Sequence, residues 1–571
     1  MESLTNPGPL PVPLPIGEVK KRSSKFFHPN TPTGPYTEMI FKSPYPNIEI
    51  PETPLASFIL EHAPQFGPRP ALVDGRTGKT TTYQQLVESV DRTAAGLYAR
   101  GFRPGDVFAI NCSNAPEYAV AFLAVAKLGG ITTMVSPLFN EAELTVQLKD
   151  SGAHYLLTDL ALVETAVAAA RAVDLREVFV LGESVDADEA TSFSELQSHE
   201  YSPPSVKIDP RADIVALPYS SGTTGLPKGV MLTHYNLVAM LRQMETAAVL
   251  HSGDRVVCIV PCYHVYGFHA VVNLGLRTGA TVVTLPRFDL EEFLRALQDY
   301  EINIVPVVPP IVLALARTPL LERFDLSRLE TLHCGAAPLS VEVAREACER
   351  LGVRISYGYG MTELSPLSHL TYSAGNEDKP ASAGYCLPNT TCKIVGVESR
   401  AELGPGEEGE VCVRGPQVMK GYLGQPQATA ELIDDEGWLR TGDIGYADKD
   451  GALYIVDRLK ELIKYKGRPV APAELEAVLL SHPAISDAAV LPSPDEKAGE
   501  VPIAFVVLKE AASPTAIMDY VSERVAPYKK IRRVEFVDEI PKSPAGKILR
   551  RVLALRVRQQ VRNEEEGMKT G

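Results

Sequence analysis

The sequence predicts an α/β protein: a large N-terminal domain, made of parallel sheets covered by helices plus a small β subdomain, followed by a small α+β C-terminal domain. Strand and helix patterns alternate over residues 55–210 and again over 255–350, and short strands joined by Gly and Pro turns follow residue 390. A second mixture of helix and strand follows a break near residue 457. We therefore expect an N-terminal extension at 1–50, a large domain at 51–457, a break at 458–460 and a small domain at 461–571.

The individual elements are predicted from apolar spacing and from capping residues. Residues 118–127 are rich in Ala and Leu and end before two glycines, which predicts a buried helix. Asp289 and Ser340 are predicted to cap two further helices, and a fourth helix is expected at 473–480. Strands are predicted at residues 255–260, 281–285, 304–308, 330–333, 393–397, 410–414, 452–457, 488–491, 503–508 and 533–537.

Composition and charge exclude several classes of protein. The 571 residues carry a formal net charge of −15 and no long run of Lys or Arg, so we expect neither a nucleic-acid nor a membrane partner. No apolar run reaches the length of a membrane-spanning helix, and the N-terminus lacks the apolar region of a secretory signal. The eight cysteines form no Cys-x-x-Cys pair, which favours reduced thiols in a cytoplasmic protein. As a separate expectation, the protein is a monomer or a homodimer.

One Gly-rich segment is the most informative in the chain. Residues 220–229 read Ser-Ser-Gly-Thr-Thr-Gly-Leu-Pro-Lys-Gly, so glycines, hydroxyls and the cation Lys228 stand together. Backbone N–H groups and hydroxyls in such a loop form an anion-binding site, although the spacing differs from the Walker A pattern. Taken alone, an ordinary Gly-rich surface turn explains the segment equally well.

Three shorter segments carry further candidates. Residues 357–363, Tyr-Gly-Tyr-Gly-Met-Thr-Glu, follow a predicted strand and offer the carboxylate of Glu363, a ligand type that suits Mg²⁺. Asp443 follows Gly442 in a predicted turn and could accept the two hydroxyls of a ribose. Lys547 stands in a loop bounded by Pro and Gly, where it could stabilise charge on a phosphate. In isolation, each segment is better explained by a turn or a surface charge.

These four segments, in this order, resemble the adenylate-forming superfamily, which includes acyl- and aryl-CoA synthetases, firefly luciferase and peptide-synthetase adenylation domains. The resemblance runs from about residue 55 to residue 555, and residues 457–467 are most similar to the 4-coumarate–CoA ligase branch. It implies an enzyme that uses ATP, Mg²⁺ and coenzyme A to convert a small carboxylic acid into an acyl-AMP and then into an acyl-CoA.

The resemblance also implies roles for individual residues. The catalytic residues are Lys547, His264, Thr362 and Glu363, of which Glu363 contacts the metal. The ATP- and AMP-binding residues are Ser220, Ser221, Gly222, Thr223, Thr224, Gly225, Lys228, Gly335, Ala336, Ala337, Tyr357, Gly358, Tyr359, Thr362, Asp443 and Arg458. The acyl pocket comprises Val265, Tyr266, His269, Pro306, His333, Gly335, Gly360, Pro366, Leu367 and Ser368. The hinge residues are Asp457 and Lys460, and the CoA face comprises Lys464, Lys466 and Gly467.

The resemblance further implies that residues 458–460 form a hinge and that the small mobile domain, 461–571, rotates about it. One orientation presents Lys547 for adenylation, and the other presents residues 464–467 beside the channel for the thiol. At Arg468 and Pro469 the chain departs from the coumarate branch, which usually carries an aromatic residue followed by Gln. The contact that this Gln makes to nucleotide or product is therefore not expected here.

The acyl pocket departs from that branch as well. His269, Pro306 and His333 stand where hydroxycinnamate ligases commonly carry Asn, Met and Lys. His333 could contact a ring hydroxyl with a shorter reach than Lys, although each histidine is better explained, by itself, as a satisfied core residue. Tyr266 and the Gly-Ala-Ala floor suit a flat or slender acyl group. We expect an aryl or arylalkenoic acid such as a coumarate or cinnamate, with a medium-chain fatty acid as the alternative.

Two other functions compete with a CoA ligase. The acyl group could pass to the thiol of a carrier protein, but the insertion that blocks CoA in long-chain acyl-AMP ligases is not seen in this sequence. A catalytically inactive binding protein could also share this fold, since fold alone does not imply function. Such a protein is expected to have lost Lys547, Glu363 or Lys228, and all three are present.

Overall fold

The computed structural model describes most of the chain. It covers residues 39–182, 189–198, 202–220, 227–371, 379, 381–466, 468–495, 498–543, 546–550 and 552–554, with the side chains at 468 and 469 excepted. No helix in these ranges is long and apolar enough to cross a lipid bilayer.

The α-helices of the described residues are α1 (Leu55–Leu60), α2 (Ala63–Phe66), α3 (Tyr83–Ala99), α4 (Pro116–Lys127), α5 (Glu141–Ser151), α6 (Val163–Val173), α7 (His234–Thr246), α8 (Leu274–Thr278), α9 (Leu290–Asp299), α10 (Pro309–Arg317), α11 (Val341–Leu351), α12 (Pro426–Leu432), α13 (Pro472–Leu480) and α14 (Pro514–Ser522). A π-helix, Tyr266–Asn273, leads directly into α8, and short 3₁₀ helices occur elsewhere, including Thr362–Leu364.

The strands of the described residues are β1 (Ile40–Lys42), β2 (Pro70–Asp74), β3 (Thr80–Thr82), β4 (Val107–Asn111), β5 (Ile131–Met134), β6 (Ala153–Asp159), β7 (Glu177–Leu181), β8 (Thr191–Ser192), β9 (Ile214–Ala216), β10 (Tyr219–Ser220), β11 (Lys228–Thr233), β12 (Arg255–Cys258), β13 (Thr281–Thr284), β14 (Ile304–Val307), β15 (Thr331–Cys334), β16 (Arg354–Tyr359), β17 (His369–Leu370), β18 (Tyr385–Cys386), β19 (Thr391–Val395), β20 (Glu402–Leu403), β21 (Gly409–Arg414), β22 (Gly421–Tyr422), β23 (Leu439–Ala447), β24 (Leu453–Arg458), β25 (Ile463–Tyr465), β26 (Arg468–Val470), β27 (Ile485–Asp495), β28 (Gly499–Leu508) and β29 (Arg533–Phe536).

Two nine-stranded sheets form the body of the part of the chain that the structure describes. One has the order β10-β11-β9-β5-β4-β6-β7-β8 with β22 against β11, and the other has the order β18-β17-β16-β15-β14-β12-β13-β2-β3. The central pairs are parallel in both sheets. A single large apolar core joins them, and α4, which is buried along almost its whole length, runs through it.

A six-stranded sheet forms the β subdomain, with the order β1-β19-β21-β23-β24 and β20 against β19. Its strand β1 comes from the predicted N-terminal extension and pairs in antiparallel register with β19. Trp438, which is 1% exposed, directly precedes β23 of this sheet. The cations of Lys393 and Arg414 each lie 4.5 Å from the centroid of a Trp438 ring, so two positive charges lie against the indole.

A five-stranded sheet forms the small C-terminal unit, with the order β26-β25-β28-β27 and β29 parallel to β28. Helices α13 and α14 cover one face, and apolar side chains such as Leu475, Val490 and Ile517 form the core between them. Residues of the long hairpin β27–β28 pair over nearly the whole of both strands. The unit therefore has its own hydrophobic core.

The predicted α/β class, the parallel sheets and the helix caps are confirmed. Asp289 accepts a hydrogen bond from the N–H of Glu292 at the start of α9, and Ser340 accepts one from the N–H of Val343 at the start of α11. Two local predictions are wrong. Residues 357–359 belong to β16 rather than to a loop after it, and Asp443 lies inside β23 rather than after a turn. The division of the chain at residues 458–460 stays a prediction.

Candidate active site

The candidate residues gather where the parallel strands of the second large sheet end. Residues 261–265 follow β12, residues 335–337 follow β15, and β16 ends at Tyr359. Carboxyl ends of neighbouring parallel strands meet at one edge, where ligands of α/β proteins bind. Ala336 has a φ of 73° in this edge, a left-handed conformation that non-glycine residues seldom adopt.

The two ends of the Gly-rich segment are held together by strand pairing. Ser220 in β10 lies opposite Lys228 in β11 in an antiparallel register. The hydrophilic middle of the segment, Ser221, Gly222, Thr223, Thr224 and Gly225, lies outside the described residues. Lys228 is buried, with its Nζ 4.9 Å from the centroid of the Tyr422 ring.

Glu363 joins three segments of the chain at one carboxylate oxygen. The hydroxyl of Ser220 donates to its Oε1 at 2.7 Å, and the hydroxyl of Tyr422 donates to the same atom at 2.8 Å. Glu363 is 3% exposed and belongs to the 3₁₀ turn that also contains Thr362. Among the described residues no hydrogen bond reaches Oε2, so this oxygen remains available to a hard cation.

Gly358 and Gly360 allow another segment of the same chain, residues 366–368, to approach the backbone closely. A Cβ on Gly360 would lie 1.9 Å from the carbonyl oxygen of Pro366, and a Cβ on Gly358 would lie 2.7 Å from the Leu367 side chain. The hydroxyl of Ser368 is buried and lies 2.9 Å from Nδ1 of His369. The segment 366–368 is therefore packed directly against the strand that carries Tyr359.

Asp443 lies between a tyrosine and an arginine. Tyr359 donates its hydroxyl to Oδ2 at 2.7 Å, and Nε of Arg458 lies 3.4 Å from Oδ1. The strand is irregular here, because Gly442 has a φ of 70° and the β21 register shifts beside it. Burial raises the pKa of Asp443 above its usual value, while the Arg458 charge and the Tyr359 hydrogen bond act against this increase.

Lys547 reaches this group from the small unit. Ser543 N–H donates to the carbonyl of Lys547 at 2.8 Å, which closes a tight turn. Gly546, with a φ of 77°, brings this turn into close contact with the large domain. A Cβ at this position would lie 2.9 Å from Cδ of Pro310. The Lys547 side chain stays accessible within the cleft between the two parts.

The charges around Lys547 show which groups face it. Desolvation lowers its pKa, and the nearby Arg458 and Lys460 charges lower the pKa further. The carboxylates of Asp443 and Glu363 act in the opposite direction. The structure thus brings together the predicted lysine, the predicted metal ligand and the predicted ribose ligand in one cleft.

His264 lies beside Lys547 and is neutral. Burial lowers the pKa of His264 to about 4, and the charge of Lys547 acts in the same direction. Its ring centroid lies 4.5 Å from that of Tyr263. A neutral imidazole at pH 7 has a free lone pair that can accept a proton or a hydrogen bond.

Tyr266 and Gly335 form a flat wall of the predicted acyl pocket. The hydroxyl of Tyr266 donates to the carbonyl of His333 at 2.8 Å, which fixes the ring. A Cβ on Gly335 would lie 3.7 Å from that ring, so the glycine leaves its face open. Val265 is buried at the start of the π-helix.

Two further residues of the predicted acyl pocket, Pro306 and His333, lie side by side on neighbouring strands. They are in register with each other and with Ser356, so the three residues share one face of the sheet. Nδ1 of His333 is hydrogen-bonded to the hydroxyl of Ser356, and its Nε2 is buried without a hydrogen bond. Burial lowers the pKa of His333 to about 4.

His269 differs from His333 because both of its ring nitrogens have partners. Nε2 donates to the carbonyl of Leu237 at 2.9 Å, and Nδ1 accepts from the Asn273 amide at 3.1 Å. His269 is 1% exposed, and burial lowers its pKa to about 4. It offers no ring nitrogen to a ligand, which agrees with the alternative of a satisfied core residue.

The predicted CoA face is separate from the cleft in this arrangement. Lys464 and Lys466 are exposed in and after β25, and no hydrogen bond or ion pair of the described residues joins them to Lys547 or Asp443. Gly467 lies outside the described residues. The predicted hinge residue Asp457 accepts hydrogen bonds from Arg458 N–H at 2.7 Å and Ala473 N–H at 2.9 Å.

The sequence did not identify Tyr422 as a site residue. It reaches Glu363 across 59 positions of sequence and stands next to Gly421 in a two-residue strand. No local pattern marks it. Only the antiparallel pairing of β22 with β11 brings it beside the Gly-rich segment.

Comparisons with known proteins find similar proteins over most of the chain. Residues 59–423 match the model of the AMP-binding enzyme family, and residues 474–547 match its C-terminal domain. The chain is 44% identical to 4-coumarate–CoA ligase 2 of Nicotiana tabacum over 90% of this chain and 97% of the relative. It is 44% identical to 4-coumarate–CoA ligase 1 of Petroselinum crispum over 92% of this chain and 98% of the relative.

Solved structures show the same similarity. The anthranilate CoA ligase AuaEII in complex with anthranoyl-AMP superposes with a TM-score of 0.82 and 25% identity, covering 90% of this chain and 99% of that one. ATP-bound MatB from Rhodopseudomonas palustris superposes with a TM-score of 0.79 and 27% identity, covering 87% and 98%.

Proposed function

The chain belongs to the AMP-binding enzyme family, and from that premise we propose that it is an AMP-forming ligase that joins an aryl or arylalkenoic acid to coenzyme A. The observation that carries the proposal is the cleft in which Lys547 faces Asp443 and Glu363. The matched relatives named 4-coumarate–CoA ligases support the choice of acid and thiol.

In the first half-reaction the carboxylate of the acid attacks the α-phosphorus of ATP. The bond to pyrophosphate breaks, and acyl-AMP forms. The ribose is held by Asp443, whose oxygens already carry the Tyr359 hydrogen bond and the Arg458 charge. Lys547 neutralises charge shared by the acid and the α-phosphate, and Lys228 and the Gly-rich segment hold the outgoing phosphates.

Glu363 is the proposed ligand of Mg²⁺. Its Oε1 is fixed by Ser220 and Tyr422, while Oε2 has no hydrogen bond from the described residues. A single protein carboxylate together with phosphate oxygens is the usual environment of this ion, and no cluster of three or more metal-ligating side chains occurs in the described ranges. The ion would neutralise phosphate charge, and Glu363 would orient it.

In the second half-reaction a CoA thiolate attacks the acyl carbonyl and AMP leaves. His264 is neutral and adjoins the Lys547 end of the cleft, so it can accept a proton or a hydrogen bond from the incoming thiol. The small domain turns about Asp457 and Lys460 between the half-reactions, so that residues 464–467 replace Lys547 at the cleft.

The acyl pocket supports a flat acid. The Tyr266 ring is fixed against Gly335, and the buried far end carries the His333–Ser356 pair. An aromatic ring can stack on Tyr266 without displacing a side chain, because Gly335 lacks a Cβ.

Mass spectrometry tests the proposal directly. The protein is incubated with ATP, Mg²⁺, CoA and cinnamate, 4-coumarate, benzoate, phenylacetate, octanoate or dodecanoate. A thioester of an aryl acid is the expected product. Acyl-AMP without a thioester would remove CoA as the acceptor and favour a carrier protein, and a thioester of a fatty acid alone would overturn the substrate class.

We further propose a cytoplasmic enzyme that is a monomer or a homodimer. All eight cysteines are free thiols, and seven of them are buried. Free thiols persist in reducing compartments, which supports this location.

A further inference from the structure

Arg550 lies three residues beyond Lys547, and no hydrogen bond or ion pair of the described residues joins it to Lys547, Asp443 or Glu363. Its Nη2 lies 2.9 Å from Oε1 and 3.1 Å from Oε2 of Glu476. Its Nε lies 3.1 Å from an oxygen of Glu461, as an ion pair rather than a directed hydrogen bond. One guanidinium therefore bridges two carboxylates.

The two carboxylates belong to well-anchored parts of the small unit. Glu476 lies in α13 and accepts a hydrogen bond from the N–H of Val490 at 2.8 Å, so it is tied to strand β27 at the edge of the sheet. Glu461 directly follows the predicted hinge, and its N–H donates to the carbonyl of Arg458 at 2.9 Å. Arg550 thus connects the Lys547 segment to the sheet core and to the first residues after the hinge.

The segment that carries Lys547 has one comparable anchor on its other side. Lys542 donates to the carboxylate of Asp487 at 2.6 Å, and an isolated bridge pairs Lys542 with Ile548. The described part of the turn is therefore fixed by one side-chain ion pair before Lys547 and by the Arg550 bridge after it.

Lys547 is surrounded by charges of both signs. Desolvation and the charges of Arg458 and Lys460 lower its pKa, and the carboxylates of Asp443 and Glu363 act in the opposite direction. Burial raises the pKa of Glu476 to about 7, against the charge of Arg550. A desolvated ion pair that loses one partner is costly, so Arg550 and Glu476 keep each other in place.

We propose that Arg550 is a positioning residue that holds Lys547 in the cleft for the adenylation half-reaction through Glu476 and Glu461. The proposal rests on the proposed function of Lys547. It goes beyond that function because the described partners of Arg550 are Glu476 and Glu461, neither of which is among the residues proposed to hold acid or nucleotide.

The test separates the two half-reactions. Arg550→Gln and Arg550→Lys are compared with wild type for pyrophosphate release with ATP, Mg²⁺ and the acid accepted by wild type, and for thioester formation from synthetic acyl-AMP and CoA. In Arg550→Gln we expect adenylation to fall tenfold or more while thioester formation stays within twofold. Arg550→Lys should recover part of the rate, since one ammonium can reach one carboxylate.

Arg524→Gln is the matched control, because Arg524 is an exposed arginine of the same unit paired with its neighbour Glu523. It should leave both rates unchanged. Equal losses in the two half-reactions of Arg550→Gln, or no loss in either, would overturn the proposal.

Hydrogen exchange provides a readout that does not depend on activity. Peptides covering residues 541–553 should exchange at least tenfold faster in Arg550→Gln than in wild type, while peptides from β27 and β28 stay unchanged. If wild type forms acyl-AMP from none of the acids, the proposed function fails. The exchange rates still test whether Arg550 holds the Lys547 segment in place, and unchanged exchange over 541–553 would refute that role of Arg550.

Discussion

The hydroxyl of Tyr359 donates to Oδ2 of Asp443 at 2.7 Å, across 84 positions of sequence. Tyr359 ends a strand of the second large sheet, and Asp443 lies in the β subdomain. This hydrogen bond joins two sheets at the proposed nucleotide site. It also fixes one carboxylate oxygen, so that the other faces Arg458.

Tyr359→Phe is predicted to weaken ATP binding without changing the chemistry. The variant keeps the ring but removes the hydrogen bond that helps Asp443 stay ionised. The KM for ATP should rise about tenfold or more, as expected for one lost hydrogen bond to a charged group, with kcat nearly unchanged. Steady-state kinetics checks this prediction. Tyr446→Phe is the control, because the ring of Tyr446 stacks on that of Tyr454 in the β subdomain. An unchanged KM for ATP would contradict the proposed ribose contact.

Lys547→Ala is predicted to abolish adenylation selectively. The variant removes the cation that faces Asp443 and Glu363, and the rate of pyrophosphate release should fall about 10²- to 10³-fold. Thioester formation from synthetic acyl-AMP should persist. Lys509→Ala, at an exposed lysine of the same unit, should behave as wild type. Equal adenylation rates in Lys547→Ala and wild type would disprove the assigned role.

Glu363→Gln is predicted to raise the requirement for Mg²⁺. The amide can keep the hydrogen bonds from Ser220 and Tyr422 but supplies no negative charge to the cation. The Mg²⁺ concentration for half-maximal adenylation should rise about tenfold or more. A magnesium titration measures this, with Glu349→Gln as an exposed control. A titration curve identical to that of wild type would exclude Glu363 as the ligand.

Acidification from pH 7 to pH 5 is predicted to destabilise the protein through buried histidines. Burial lowers the pKa to about 4 at His234, His264, His269 and His333, and to about 3 at His369. The unfolded chain takes up protons near pH 6.5, whereas the folded chain does so only near pH 4 or below. Between about pH 6.5 and pH 4 the unfolded state therefore binds more protons than the folded state. Each histidine lowers the free energy of unfolding at pH 5 by about 2 kcal/mol relative to pH 7.

A single substitution isolates this effect. The raised pKa values of Asp443, Asp457 and Glu476 act in the opposite sense, so the total change is not a clean measure. In His369→Gln the loss of stability between pH 7 and pH 5 should be smaller than in wild type by about 2 kcal/mol. Urea denaturation at both pH values gives the difference. The same pH dependence in both proteins would show that His369 is not neutral in the fold.

The sequence predicted the elements that depend on local patterns. Helices α9 and α11 begin where Asp289 and Ser340 predict, because a capping side chain acts within three residues. The motif residues of the cleft were also identified, since Gly-rich segments with hydroxyls and charges are visible in a short window.

The features that the sequence did not predict depend on contacts between distant segments. The strand β16 extends to Tyr359 because β17 pairs with its end, and Asp443 stays in β23 because β24 pairs beside it. The role of Tyr422 likewise follows from pairing with β11, and the anchoring of the Lys547 segment follows from Glu476. Local composition carries no record of such pairings.

Trp438 is the only tryptophan in the chain, so the indole emission of the intact protein comes from one place. That place is the start of β23 in the β subdomain, where the ring is buried and lies against Lys393 and Arg414. The emission should be blue-shifted in the folded protein and should move to longer wavelength when this sheet opens. Fluorescence can thus follow the unfolding of the β subdomain separately from that of the small unit, which contains no tryptophan.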